Sequence, residues 1–185
     1  MAIYSRVDTN RNARGLAAFG ATHQGGTASS SSRIVRKGAS TTVVYTVGYE
    51  KRDGAELMAL LRKHGIKVLA DVRERPLSRK PDFRGSALRA SCEANGLEYQ
   101  LWSVLGSTSA QREELHASGD FKAFERQFHT YAKRELASDL SRLAMAVQQK
   151  PTALLCYERA HEDCHRGILA TMVGDSIDAN VVAIS

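Results

Sequence analysis

The sequence lacks the features that mark membrane-spanning, secreted and disulfide-bonded proteins. No apolar run approaches the roughly 20 residues that a helix needs to cross a bilayer. The N-terminus has no apolar segment of the kind that signal peptides contain. There are only three cysteines, and their spacing does not suit a disulfide framework. We therefore expect a protein of the reducing cytoplasm that does not contact a membrane.

Several common catalytic motifs are missing as well. The chain has no Walker phosphate loop, no G-x-G-x-x-G dinucleotide motif and no G-x-S-x-G nucleophile motif. The run from Asp71 to Glu74, after a predicted strand, resembles the first motif of rhodanese domains. Rhodaneses and cysteine phosphatases, however, also need a cysteine that begins a short loop closed by an arginine. The segment from Cys156 to Arg166 is too long for such a loop and contains no glycine. The sequence therefore argues against both classes.

Excess negative charge is absent, and the positive charge is unevenly distributed. The 185 residues carry 26 basic and 20 acidic side chains, a net charge of +6. Residues 1–40 hold six of the basic residues and one acid, which leaves residues 41–185 with 20 basic and 19 acidic residues. Residues 1–40 are also poor in large apolar side chains, which predicts a disordered basic tail, although an organelle transit peptide has a similar composition. Such a tail attracts any polyanion, so the net charge says little about the rest of the chain.

From Thr41 onwards the sequence alternates between strand and helix patterns. Residues 42–49 are rich in β-branched and aromatic side chains and predict a buried strand. Asp53 suits the N-cap of a helix that ends near Gly65, and residues 66–72 predict a second strand. A strand, a helix and a strand joined by short links predict a right-handed crossover and a parallel sheet.

The same alternation continues to the C-terminus. Further helices are expected at residues 86–95, within 111–149 with a break near Gly119, and at 163–173, and further strands at 97–101, 152–157 and 181–184. Aromatic residues at three- and four-residue spacing within 121–131 favour packing against the sheet over a binding face. The sequence thus predicts one α/β domain over residues 41–185, with a mostly parallel sheet of about four to five strands.

Charged residues follow the second predicted strand. Because side chains alternate along a strand, Asp71 and Arg73 should project to the same side where the strand ends. Such a pair is either a structural ion pair or a fixed guanidinium that binds a phosphate or a carboxylate. The long polar segment that follows contains Arg75 and Arg79, and a long loop with several cations favours an anion-binding surface.

The fourth predicted strand ends in a cysteine and a carboxylate. Cys156 and Glu158 should lie on the same side of the strand end. Glu158 suits a general base or a nucleophile, but it also suits a capping role, and Cys156 fits a small core residue. In open parallel sheets, ligands bind beyond the carboxyl ends of strands, where this segment and the Asp71 segment are both expected.

The last predicted helix starts near Cys164, His165 and Arg166. The helix dipole favours anions there and lowers the pKa of a cysteine, which makes Cys164 and His165 a candidate thiolate–imidazole couple and Arg166 a candidate anion contact. Cys164 and His165, together with Cys156 and His161, also form a set of soft metal ligands. Their spacing matches no common zinc motif well, so no cofactor is predicted and zinc stays an alternative.

Six segments, in this order, resemble the bacterial and archaeal family catalogued as domain of unknown function 488. They are TVGYE (46–50), HGIKVLADVRERPLSR (64–79), Phe83, GLEY (96–99), Leu105–Gly106 and LLCYERAHEDCHRG (154–167). The family usually has a proline before the Leu-Gly pair and a second glycine after it, where this chain has Val104 and Ser107. The resemblance covers about residues 43–184 and implies a three-layer, Rossmann-like fold. It implies no established reaction. It places six residues on motif positions: Asp71, Arg73, Glu158, Cys164, His165 and Arg166.

We expect from these residues an enzyme that binds a phosphate-bearing substrate, either a nucleotide or a nucleic acid (DNA or RNA). Phosphate would be held by Arg73, Arg75, Arg79 and Arg166. Acid–base or nucleophilic chemistry would come from Glu158 and Asp71, beside Cys164 and His165, and a base would stack on Tyr49, Tyr99 or Trp102. One alternative is a non-catalytic nucleic-acid-binding module that relies on the tail, and another is a thiol- or metal-dependent enzyme centred on Cys156 and Cys164. Strand order decides whether the three segments meet, and the sequence leaves that order and the oligomeric state open.

Overall fold

The computed structural model describes residues 42–185, and the predicted tail of residues 1–40 lies outside this range. Within it the chain forms five strands, six helices and two short 3₁₀ turns. The strands are β1 (Val43–Gly48), β2 (Val68–Asp71), β3 (Glu98–Leu101), β4 (Thr152–Cys156) and β5 (Asn180–Ala183). The helices are α1 (Gly54–Lys63), α2 (Gly85–Ala94), α3 (Ser109–Ser118), α4 (Phe121–Glu135), α5 (Ala137–Gln149) and α6 (His165–Ile177). The 3₁₀ turns are Pro81–Phe83 and Ser103–Leu105.

The five strands are all parallel and form one sheet in the order β3-β2-β4-β1-β5. Helices α1 and α2 pack on one face of the sheet, and α4, α5 and α6 pack on the other. The neighbouring strands β2 and β4 are therefore followed by helices on opposite faces, which is the switch point where open α/β sheets bind ligands. This arrangement confirms the predicted three-layer, Rossmann-like α/β fold.

Two apolar layers hold the helices on the sheet. On one face, Leu57 and Leu61 of α1 and Leu88 of α2 are fully or almost fully buried. On the other face, Phe124 and Phe128 of α4 pack in the layer that contains the buried side of α5 and α6. The aromatic stripe of α4 thus packs against the sheet, as its spacing predicts. In this described part of the chain, no helix has the length and apolar character needed to cross a membrane.

Helix α6 differs most from its predicted bounds, since it begins two residues later and ends four residues later. Cys164 takes the N-cap position with extended backbone angles (φ −139°, ψ 141°), so the helix starts at His165. The predicted end was Val173, directly before Gly174. Gly174 lies inside the helix, where a β-carbon would come within 3.0 Å of the carbonyl oxygen of Ala179. Close approach of the next chain segment, and not helix propensity, explains the glycine.

Helix α1 begins with a capping box. The Asp53 carboxylate accepts a hydrogen bond from the Glu56 N–H at 2.8 Å, and the Glu56 carboxylate accepts one from the Asp53 N–H at 2.8 Å. We expect Asp53→Ala to lower the free energy of unfolding by about 1 kcal/mol, because it leaves an N–H of the first turn without a partner. Urea denaturation measures this loss. Asp53→Asn should retain most of the stability, and an equal loss in that variant would contradict the capping role.

Candidate active site

The loops after β1, β2 and β4 meet around one cavity of about 700 Å³. Backbone hydrogen bonds extend the sheet into these loops: the Tyr49 N–H donates to the Cys156 carbonyl at 3.3 Å, and the Val72 N–H donates to the Leu155 carbonyl at 3.2 Å. Residues from all three segments singled out in the sequence line the cavity. The strand order therefore answers the question that the sequence leaves open, and the three segments do meet.

Asp71 and Arg73 form a buried bidentate ion pair, which confirms their predicted pairing. Nε and Nη2 of Arg73 donate to the two Asp71 carboxylate oxygens at 2.8 and 2.5 Å. Nη1 donates to the Tyr49 hydroxyl and to the Phe83 carbonyl, both at 2.9 Å. Burial disfavours the guanidinium charge, but the hydrogen-bonded Asp71 outweighs it, so the pKa of Arg73 is raised. Four of the five N–H groups of Arg73 are thus engaged within the protein, and one is left for the cavity.

Tyr99 supports the Asp71 side of this ion pair. Asp71 is fully buried, and its Oδ2 also accepts a hydrogen bond from the Tyr99 hydroxyl at 2.8 Å. Burial and the Asp71 charge raise the pKa of Tyr99, so the hydroxyl stays protonated and donates. Of the residues described, those that line the cavity include neither Asp71 nor Tyr99. The geometry makes Asp71 a positioning residue for Arg73. It gives Asp71 no contact with the cavity for the predicted role in catalysis, and Tyr99 none for the predicted stacking on a base.

The aromatic residues expected to stack on a base are engaged elsewhere. Tyr49 lines the cavity, but its ring is stacked on Phe83 with centroids 4.3 Å apart and is 3% exposed. Trp102 is half-buried, and the Arg142 guanidinium lies 5.5 Å from its ring centroid. Sequence reasoning missed Tyr157, which lines the cavity and is 48% exposed.

Glu158 gathers two thiols and an imidazole at the cavity wall. The Cys164 and Cys156 thiols both donate to Oε2 of Glu158, at 2.9 and 3.1 Å. Nδ1 of His165 lies 3.8 Å from each of the two sulfur atoms. Nε2 of His165 is 3.0 Å from the Val72 carbonyl oxygen and donates to it. The structure therefore brings Glu158, Cys164 and His165 together, with Cys156 beside them. We call these four residues the thiol cluster.

Burial and hydrogen bonding act in opposite directions on the acidic groups of the thiol cluster. Burial disfavours the Glu158 charge, but hydrogen bonds from Cys164, its own backbone and Cys156 outweigh it and hold the pKa of Glu158 below its usual value. Burial, followed by contact with Cys156, raises the pKa of Cys164 well above that of a free thiol. This corrects the prediction of a lowered Cys164 pKa, because desolvation of a side chain that is 2% exposed outweighs the helix dipole. The cluster therefore combines an ionised carboxylate with a neutral thiol.

Arg166 and Gly48 fix the backbone that carries Glu158. Arg166 is 1% exposed, and its guanidinium donates to the Glu158 carbonyl at 2.5 Å and to the Arg159 carbonyl at 3.1 Å. Gly48 packs against the same Glu158 carbonyl so closely that a β-carbon there would overlap it. Among the described residues, Arg166 is not part of the cavity lining, so it holds this loop and does not make the predicted anion contact from there.

Arg75 and Arg79 provide the exposed cations of the cavity. Both side chains line it, and neither has a hydrogen-bond partner among residues 42–185. Two further cations are engaged: Lys80 donates to the Arg52 carbonyl at 2.7 Å, and Arg112 pairs with Glu74 at 2.8 Å. The lining contains five lysines and arginines and three carboxylates, so the cavity has an excess of positive charge.

Helices α3 and α4 contribute a part of the lining for which the sequence contains no signal. Arg112 and His116 of α3 and Phe124 of α4 all line the cavity. They lie in no recognisable motif, and their position depends on how α3 packs after β3. Tyr157, by contrast, lies between Cys156 and Glu158 in the most distinctive segment of the chain, and that position was the signal available for it.

A comparison with protein families returns a match over residues 54–173 to the domain of unknown function DUF488. The chain belongs to the DUF488 family. The matched range of this DUF488 domain includes the Asp71–Arg73 ion pair and the whole thiol cluster, whereas β1 precedes it and β5 follows it. No curated protein and no solved structure matches the chain.

The cysteines of this DUF488 domain are expected to react slowly with iodoacetamide at neutral pH. All three are buried, burial raises the pKa of Cys92 to about 11, and that of Cys164 is raised well above the usual thiol range. Mass spectrometry of tryptic peptides gives the alkylation rate at each site, with the urea-unfolded protein as the control. Alkylation of Cys164 faster than of free cysteine would contradict a neutral buried thiol and favour a thiolate enzyme.

Proposed function

We propose that this DUF488 domain is an enzyme that acts on a phosphate-bearing substrate, namely a nucleotide or a nucleotide unit of a nucleic acid. The observation that carries the proposal is one cavity in which the ionised Glu158 lies together with an excess of cationic side chains. Its volume of about 700 Å³ is in the range of pockets that enclose small organic ligands.

Arg75 and Arg79 are the residues best placed to bind the phosphate. A guanidinium binds phosphate through two parallel hydrogen bonds, and these two side chains are exposed at the cavity. Arg73 adds its one remaining N–H from a fixed position, because Asp71 holds the rest of its guanidinium. Arg166 is already bound to backbone carbonyls, so the proposal assigns phosphate binding to the loop after β2.

Glu158 is proposed as the general base. An ionised carboxylate accepts a proton, whereas the lowered pKa makes Glu158 unsuited to donate one at neutral pH. Its backbone is fixed from two sides by Arg166 and Gly48, so the carboxylate is held in position before a substrate arrives. The exposed ring of Tyr157, the residue before Glu158, takes the base-stacking role that the sequence analysis gave to Tyr49, Tyr99 or Trp102.

The binding part of this proposal is tested with the full chain and fluorescent single-stranded oligonucleotides at physiological salt. The double variant Arg75→Ala/Arg79→Ala should bind at least about tenfold more weakly, because both exposed phosphate-binding guanidiniums are lost. The control is Lys122→Ala/Arg134→Ala, which removes the same charge from exposed positions of α4. Both variants keep the tail. Equal affinities for the two would favour the non-catalytic alternative, in which the tail binds the nucleic acid.

The catalytic part is tested with Glu158→Gln. This variant should bind the oligonucleotides or nucleotides as the unaltered protein does, and should lose about 100-fold or more in any turnover found with them. Product analysis by mass spectrometry measures this loss. Unchanged turnover in Glu158→Gln would show that the carboxylate is not the base.

A further inference from the structure

The thiol cluster has the geometry of a metal centre, and we propose that Cys156, Cys164 and His165 bind one zinc ion whose fourth position is open to the cavity. The inference rests on the positions of these side chains and does not depend on the proposed substrate. Two thiolates and an imidazole are donors that suit zinc, whereas magnesium and calcium prefer oxygen ligands.

The donor atoms are already close to the separations that zinc requires. The two sulfur atoms and Nδ1 of His165 all lie within 4.8 Å of one another, and each sulfur is 3.8 Å from Nδ1. A tetrahedral ion with Zn–S of about 2.3 Å and Zn–N of about 2.0 Å places sulfur and nitrogen ligands about 3.5 Å apart. The two S···Nδ1 distances therefore match zinc geometry to within a few tenths of an ångström, and the sulfur–sulfur distance, at most 4.8 Å, compares with about 3.8 Å for two thiolates on one tetrahedral ion.

His165 is held in the orientation that a metal ligand needs. The Val72 carbonyl only accepts, so Nε2 of His165 carries the proton that it donates there. Nδ1 is then the ring atom that lies near both sulfur atoms, where it would serve as the donor to a cation. Phe128 packs edge to face on the imidazole at 5.6 Å and fixes the plane of the ring. A backbone carbonyl on the second nitrogen is one of the usual supports of a metal-binding histidine.

The charges of the thiol cluster also fit a dication. Both thiols donate to one oxygen of Glu158, so their two protons lie close together beside a carboxylate. Zinc would take the place of these protons: two Zn–S bonds form, and two protons pass to the solvent. Glu158 is then next to the ion. Glu158 and the three ligand residues all line the cavity. Three protein ligands and an open fourth position are typical of catalytic zinc sites, in contrast to structural sites.

The common zinc motifs do not reveal this site because its ligands come from different elements. Cys156 ends β4, Cys164 is the N-cap of α6 and His165 is its first residue. The loop of seven residues between the cysteines folds back so that the strand end and the helix start meet. His161, which the sequence grouped with these ligands, lies apart from the three donor atoms that come together.

The test is titration of the full chain, produced without a polyhistidine tag, with Co²⁺ as a spectroscopic substitute for zinc. We expect one cobalt per chain, visible bands of tetrahedral intensity and a near-ultraviolet thiolate-to-cobalt band, all displaced by one equivalent of zinc. The matched control is Cys92→Ala, which removes the third buried cysteine and should leave the stoichiometry unchanged. A folded, unaltered protein that takes up neither cobalt nor zinc would overturn the proposal, as would a loss of binding in Cys92→Ala.

Variants at the ligands assign the site. Cys156→Ser and Cys164→Ser should each halve the thiolate-to-cobalt band and weaken the metal affinity by at least about 100-fold, which exceeds the effect of losing a supporting residue. Added azide should shift the visible bands, since it enters the open position, and unshifted bands would overturn the open site. Neither readout uses a nucleotide. A failure of oligonucleotide binding therefore counts against the proposed function and leaves the metal site standing.

Discussion

Replacing Asp71 by alanine should lower the free energy of unfolding by about 3–5 kcal/mol, because it leaves the Arg73 guanidinium charged and buried without a partner. The loss extends beyond the ion pair. The Tyr99 hydroxyl donates to the same carboxylate, so it also loses its hydrogen-bond acceptor. Arg73 is 6% exposed and is held by Tyr49 and Phe83 on its other side, which limits how far it can move towards water.

Urea denaturation of Asp71→Ala measures this effect, with Glu98→Ala as the matched control. Glu98 lies on β3, next to the strand that carries Asp71, and pairs with Lys150 at 2.9 Å, but both of these side chains are about half exposed. Its loss should cost no more than about 1 kcal/mol, as is typical of surface ion pairs. Similar losses in the two variants would show that burial does not strengthen the Asp71–Arg73 pair. Asp71→Leu/Arg73→Met, which removes both charges, should be more stable than Asp71→Ala.

The second large effect is expected for Gly48→Ala. The added β-carbon overlaps the Glu158 carbonyl, and the obstacle is backbone, which cannot rotate away as a side chain can. Overpacking of this kind costs about 1–3 kcal/mol, and we expect the upper part of this range because Arg166 holds the same carbonyl from another side. The displaced loop carries Glu158, so cobalt binding and turnover should fall together with stability.

The matched control for Gly48→Ala is Gly65→Ala. Gly65 has φ +66°, and a β-carbon added there would meet no atom within 4 Å, so its substitution costs only the strain of a left-handed residue, about 1 kcal/mol. It lies at the end of α1, away from the cavity. Gly65→Ala should therefore leave cobalt binding unchanged. If Gly48→Ala bound cobalt equally well, close packing of β1 against Glu158 would not be required for the thiol cluster.

Local patterns predicted the elements of this fold well because they reflect local physics. The N-cap at Asp53, the glycine that ends α3 and the apolar β4 each give a signal within a few residues. Side-chain alternation likewise predicted that Asp71 pairs with Arg73 and that Cys156 lies beside Glu158. Each of these contacts joins two residues that are two positions apart at the end of one strand.

The sequence did not predict which charged groups are buried. Arg73 and Arg166 look alike as candidate phosphate ligands, yet one keeps a single N–H for the cavity and the other lies behind the cavity lining. The predicted Cys164 pKa was wrong for the same reason, because desolvation of Cys164 depends on its burial in the folded chain and not on its neighbours in the sequence. Burial is a property of the tertiary structure, and so are the roles that follow from it.

The peptide unit at Val72 gives the site one more property. Its carbonyl accepts the hydrogen bond from His165, while the residues on either side of it are Asp71 and Arg73. A single planar unit thus connects the buried ion pair with the thiol cluster, and we expect a displacement at one to affect the other. Energetic coupling between such sites is reciprocal. Changes at Arg73 and His165 should therefore be non-additive in a double-mutant cycle, and an anion bound at the loop should alter the affinity for a metal by the same factor as the metal alters the affinity for the anion.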